Sequence, residues 1–232
     1  MAGSIISFFT IGFLLAAGFP VLGWGANPTE HGLSIRVNLL DYAQVPEDVL
    51  AEARRTTAKI LLRAGLQATW VDVPTSSHEA ADSRHDRQRV GAADLTVRFI
   101  PESKVPEWAK KREDLAFSLI PSAGGPAKLS SIYPERVTQV AAWHNHPVGL
   151  VLGCVIAHEL GHLLLRQLDH SAIGVMSFPV TGHYLRKAAR GQLQFTNSQA
   201  KRIRREVRKR LERDLAGSAV AGTQNRAELG SF

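Results

Sequence analysis

The chain has 232 residues, an apolar fraction ordinary for a globular protein and a formal net charge of +7. Once an N-terminal targeting segment is set aside, that length suits one well-formed core and does not require two. The single cysteine, Cys154, excludes an intrachain disulfide and any Cys-rich zinc ribbon, so a metal site has to be built from His and carboxylates.

No charged side chain occurs from Met1 to Thr29, and Ile5 to Phe19 is a compact apolar run followed by Pro20 and a small-residue stretch around Gly23, Gly25 and Ala26. This is the pattern of a secretory signal peptide over residues 1–26, with an uncleaved membrane anchor as the alternative. Both place the domain outside the cytoplasm, secreted or periplasmic. The domain itself is expected over 27–216, with a flexible tail at 217–232.

Leu33 to Leu40 alternates as a first strand. Pro46 opens a helix over Glu47 to Ala64, stopped by Gly65, and Gln67 to Val73 reads as a second strand. Pro74 to Ala93 is a polar surface loop carrying His78 and His85, and a third strand runs from Asp94 to Ile100. After a loop from Pro101 to Asp114, Leu115 to Ile120 is a fourth strand. The turn at Gly124 to Pro126 leads to Lys128 to Tyr133, expected as a short or edge strand. Pro147 is placed at the first turn of a strongly apolar helix from about Val148 to about Arg166. An irregular segment and a terminal helix capped by Thr196 or Asn197 complete the chain. The order predicts an α+β domain with one twisted mixed sheet, a buried central helix and a C-terminal helix.

Between Lys201 and Arg213 stand eight Lys or Arg against Glu206 and Glu212, almost the whole positive surplus. Ile203, Val207, Leu211 and Leu215 recur every four residues there, which marks a packed stripe under a solvated cationic back. No aromatic residue is interleaved with the charges, so nucleic acid is not expected as a partner.

The central helix carries His158, Glu159, Leu160, Gly161 and His162. Residues four apart lie about 40° from each other around a helix, so both imidazoles can reach one ion, while Glu159 is offset by about 100°. That offset suits a carboxylate acting as general base on water activated by zinc. The flanks, from Leu150 to Leu165, are almost wholly apolar, and burying this trio without a strong partner is costly. A catalytic zinc has three protein ligands and one open position.

The stretch from Val148 to Ser177 resembles the metzincin metallopeptidases, whose HExxH motif is followed by a third His and a tight turn bearing a methionine. It is most similar to a divergent bacterial branch with seven residues between the second and third His, a His-Ser pair and a Gly-Ile/Val-Met turn. The resemblance implies a zincin-like fold, His170 as the third zinc ligand beside His158 and His162, Met176 as the Met-turn residue, and Tyr184 as a possible oxyanion stabiliser. The usual glycine between the second and third His is absent, Leu165 and Arg166 occupying that region. Asp169 is an alternative third ligand and His183 a further candidate.

The function expected is that of a zinc peptidase, an endopeptidase by the resemblance, with one catalytic Zn2+, a peptide or protein substrate and a monomeric state. The substrate is expected to add to the sheet edge, against Lys128 to Tyr133. Alternatives are a non-catalytic exported zinc protein, and a membrane-associated module using its basic terminal helix, with membrane contact if the N-terminal segment is uncleaved. Cys154, one turn before His158, reads as a small buried hydrophobe or an inhibitory thiolate. His144 and His146 read as an exposed helix entry or a second metal pair.

Overall fold

A computed structural model describes residues 32–75, 91–107, 114–122 and 125–229, with side chains to residue 217. The N-terminal segment 1–26, His78 and His85 lie outside these residues. Strand β1 (Leu33–Asp41) buries Ile35, Val37 and Leu39, every second residue, as the pleat requires. It is followed by helix α1 (Glu47–Arg63), which has Glu47 and Asp48 in its first turn and Arg63 in its last, in keeping with the helix dipole. Strands β2 (Leu66–Asp72), β3 (Leu95–Phe99), β4 (Ala116–Leu119) and β5 (Leu129–Ile132) complete one sheet in the order β2-β1-β3-β5-β4. β1 runs parallel to β2 and β3, β3 parallel to β5, and β4 antiparallel to β5. The fold is therefore α+β with a five-stranded mixed sheet.

The strand at 129–132 lies inside the sheet between β3 and β4, so the expectation of an edge there is corrected. The two edges are β2 and β4, each paired on one side only, and β4 is the edge beside the helix that carries the histidines.

Four helices follow: α2 (Pro134–Trp143), α3 (Val148–Leu165), α4 (Gly182–Ala189) and α5 (Asn197–Leu229). Two of these, α2 and α4, are absent from the sequence reading. Both are short, with signals confined to one turn: Pro134 at the start of α2, and the Thr181 hydroxyl accepting the Tyr184 N–H at the start of α4. Pro147 is the cap of α3 rather than its first helical residue. α5 opens with a reciprocal cap in which Thr196 Oγ1 accepts the Gln199 N–H (3.2 Å) and Gln199 Oε1 accepts the Thr196 N–H (2.9 Å).

α3 is long and apolar enough to cross a membrane, yet 94% of that apolar window is buried within the domain, so it serves as the core helix. α1 crosses it closely at Gly153. A Cβ there would stand 2.6 Å from the Ala53 carbonyl oxygen, and the Thr57 hydroxyl donates to the Gly153 carbonyl at 2.9 Å.

The basic terminal helix is held differently from the expectation of a wholly solvated cationic back. Arg210 is fully buried. Its guanidinium donates to the Leu163 carbonyl of α3 (2.8 Å), the Ala127 carbonyl (3.0 Å) and Glu206 (2.9 Å). Arg202 donates to the Leu165 carbonyl and Arg204 to the Ala64 carbonyl, at 3.2 and 2.9 Å. These acceptors are the orphan carbonyls at the C-terminal ends of α3 and α1, where cations also complement the helix dipole. Ile203 and Val207 are buried and Leu211 partly so, but Leu215 is 73% exposed, because the stripe outruns the body it packs on.

Replacing Arg210 with Ala leaves buried carbonyls and Glu206 unpaired and should cost about 3 kcal/mol. Arg210→Lys should recover little of it, since one ammonium lacks the fork that reaches three separated acceptors. Urea unfolding of both variants measures the loss.

Candidate metal and catalytic site

Helix α3 presents His158 and His162 one turn apart, and each Nδ1 meets a backbone carbonyl: Val175 for His158 (2.8 Å) and Gln167 for His162 (2.7 Å). A carbonyl only accepts, so each Nδ1 carries the proton and each Nε2 of the neutral ring presents a lone pair. Burial pushes the His158 pKa down to about 3, aided by the neighbouring His162 and His170. His162 is also lowered, chiefly by burial. Both rings are therefore neutral at neutral pH. Their Nε2 atoms nevertheless lie 3.0 Å apart, lone pair to lone pair.

His170 joins them. Its ring centroid stands 5.1 Å from that of His158 and 5.2 Å from that of His162, and one nitrogen from each of the three rings lies within 4.8 Å of the other two. This donor set fits zinc. Two imidazole nitrogens on a tetrahedral Zn2+ stand roughly 3.3 Å apart, and a cation is what removes the repulsion between facing lone pairs. Among the described residues no fourth group completes the cluster. Asp169 and His183 are exposed and outside it, as are the half-buried His144 and His146. Cys154 is buried, and burial raises its thiol pKa to about 12, leaving it an uncharged packing group outside the cluster.

The path from α3 to His170 begins with a tight turn. Arg166 ends α3 in the left-handed region (φ 54°, ψ 45°), a turn for which glycine is the usual choice. The chain then folds back so that the Gln167 carbonyl reaches His162. Ser171 N donates to the Met176 carbonyl (2.8 Å), and Val175 N to the Gln194 carbonyl (3.1 Å). Met176 is fully buried. A Cβ on Gly161 would meet Met176 Sδ at 2.3 Å and the Phe195 ring at 2.8 Å, which is why the motif has glycine between its histidines.

No known family's sequence pattern matches the chain, and no curated protein matches it. Several solved structures bear a loose likeness to it. Archaemetzincin from Methanopyrus kandleri has a TM-score of 0.44 and 11% identity, over 78% of this chain and 99% of that one. A zinc-dependent peptidase from Methanocorpusculum labreanum (strain Z) has a TM-score of 0.43 and 14% identity, over 72% of this chain and 99% of that one.

Glu159 faces the sheet. Its Oε2 accepts hydrogen bonds from Ser118 Oγ (2.7 Å) on β4 and Ser130 Oγ (3.1 Å) on β5, residues directly opposite in the β4–β5 register. Oε1 makes no hydrogen bond to the described residues. Burial raises the Glu159 pKa to about 7, while the two hydroxyls pull it down. Both serines were missed in the sequence. The available signal was a pair of small polar residues in two short strands that must cover a buried carboxylate.

The three histidines and Glu159 open on a cleft of about 430 Å³. One bank is the β4 edge from Asp114 to Ser118, and the other is formed by Leu168, Phe178, Val180 and Tyr184. Phe178 stacks on His170 (centroids 5.1 Å apart, planes at 23°). Tyr184 is buried, and its hydroxyl donates to the Val175 carbonyl at 3.2 Å, the same oxygen that holds His158. Burial raises its pKa well above the usual value.

Gly161→Ala should cost about 1–3 kcal/mol by overpacking Met176 and Phe195, readable as a fall in Tm. A second outcome concerns pH. Because the Glu159 pKa is raised from 4.5 to about 7, its contribution to stability is full below pH 4.5 and is lost as pH rises through about 7. Metal-free Glu159→Gln should therefore unfold at a higher temperature than metal-free wild type near pH 8, by on the order of 3 kcal/mol, with the gap closing below about pH 4.5.

Proposed function

We propose that this protein is a zinc-dependent peptidase in which His158, His162 and His170 hold one Zn2+ and Glu159 is the general base. The observation that carries the reading is the pair of Nε2 lone pairs facing each other at 3.0 Å, both rings fixed as neutral by backbone carbonyls, beside a carboxylate in the same cleft. Zinc supplies Lewis acidity, which polarises a carbonyl and brings the pKa of water towards neutrality.

The chain's own residues do the rest. Ser118 and Ser130 anchor Oε2 of Glu159, so Oε1 is the atom that takes a proton from the attacking water and returns it to the leaving amine. A substrate strand extends the sheet along β4, whose outer edge is unpaired and whose residues line the cleft. No Lys or Arg lines the cleft among the described residues, so nothing there would clamp a terminal carboxylate, which favours endopeptidase action over carboxypeptidase action. Met176 supports the floor beneath the metal. Tyr184 lines the same cleft, and in this reading its hydroxyl assists a developing oxyanion after leaving the Val175 carbonyl.

A structural zinc site is disfavoured by the lack of a fourth ligand among the described residues and by the open cleft. A polyanion-binding role for the terminal helix is weakened by the use of Arg202, Arg204 and Arg210 as ties to backbone carbonyls. The charge-free apolar segment before Thr29 supports activity outside the cytoplasm, and the enzyme is taken to act as a monomer.

Elemental analysis of the purified protein should give about one zinc per chain, lost in His170→Ala and kept in Asp169→Ala. Glu159→Gln should keep the metal while kcat/KM on a susceptible peptide falls roughly 10²–10⁴-fold. Freshly purified wild type that holds no zinc and takes up none would sink the proposal.

A further inference from the structure

His158 and His162 are each locked by a backbone carbonyl, whereas His170 makes no hydrogen bond to the described residues. It sits exposed on the loop after α3, with only the Phe178 ring stacked on it. What places its backbone is the next residue. Ser171 N donates to the Met176 carbonyl, and Ser171 Oγ gives its one proton to the Ile173 carbonyl at 2.7 Å. The lone pairs left on Ser171 Oγ accept from Gln199 Nε2 at 3.2 Å. Gln199 is only 8% exposed, and its amide orientation is determined, because Oε1 is committed to the Thr196 N–H.

We infer that Gln199 is a positioning residue for the metal. It ties the first turn of α5 to the loop that carries His170 and thereby sets the affinity of the three-histidine site. The inference rests on the zinc-site reading above. One end of the amide caps the helix and the other holds the ligand loop, so the two roles separate by chemistry. In Gln199→Glu an oxygen remains for the Thr196 N–H and the cap survives, while the donor to Ser171 is replaced by a second acceptor. Thr196→Ala does the reverse, removing the hydroxyl that accepts the Gln199 N–H and leaving the Gln199 amide free to hold Ser171.

The experiment is competition for Zn2+ against a chromophoric chelator at neutral pH, with Tm of the metal-free proteins measured alongside. Gln199→Glu is expected to weaken zinc binding about 10-fold or more with little change in metal-free Tm, since partners that orient a ligand are typically worth 10–100-fold in metal affinity. Ser171→Ala should weaken it similarly, and the double variant should be no worse than either single one. Thr196→Ala should lower Tm and leave zinc affinity near wild type. Equal zinc affinity in wild type and Gln199→Glu overturns the inference, as does an equal loss in Thr196→Ala. Wild type that binds no zinc overturns the metal reading itself and is distinguished at once from those outcomes.

Discussion

Two imidazole lone pairs held face to face organise the rest of this molecule. The arrangement is unfavourable in a metal-free protein, so it persists only because the surroundings leave neither ring a choice. The Val175 and Gln167 carbonyls determine tautomer and orientation, and the buried helix beneath forbids rotation away. The same burial that depresses both imidazole pKa values raises that of Glu159, so the low dielectric around α3 favours the uncharged form of all three groups.

Holding α3 rigid is therefore the main structural demand on the fold. The sheet covers one side and supplies Ser118 and Ser130 to the carboxylate. α1 closes against another through a contact at Gly153 that only a residue without a side chain permits. The far end of α3, where helix carbonyls lose their partners, is tied by arginines from α5. What looks in the sequence like surplus charge is in part a set of donors for those carbonyls. Burying Arg210 is tolerable because its two hydrogen bonds to backbone carbonyls and its pairing with the Glu206 carboxylate compensate the desolvation.

The loop after α3 carries the most chemistry per residue. Between Arg166 and Ser177 it turns the chain through a left-handed residue, offers carbonyls to both helical histidines, delivers the third one and places Met176 under Gly161. Tyr184 and His158 share the Val175 carbonyl, so the cleft wall and the histidine cluster are mechanically continuous.

Local periodicity determined much of this protein. All five strands and the helices over 47–63, 148–165 and from 197 lie within a residue or two of where alternation, turn residues and apolar spacing put them, and His158, Glu159 and His162 are legible because helical spacing alone juxtaposes them. The short helices α2 and α4 were not legible, their signals being one turn long. Strand order was not legible either, because β5 is the last strand in the chain yet lies inside the sheet, a matter of long-range pairing that no local pattern encodes. Only the tertiary structure decided which edge strand borders the cleft, which serines meet Glu159, which carbonyls fix the imidazoles and which arginine is buried. Each depends on residues between 5 and 83 positions apart, brought together by packing rather than by period.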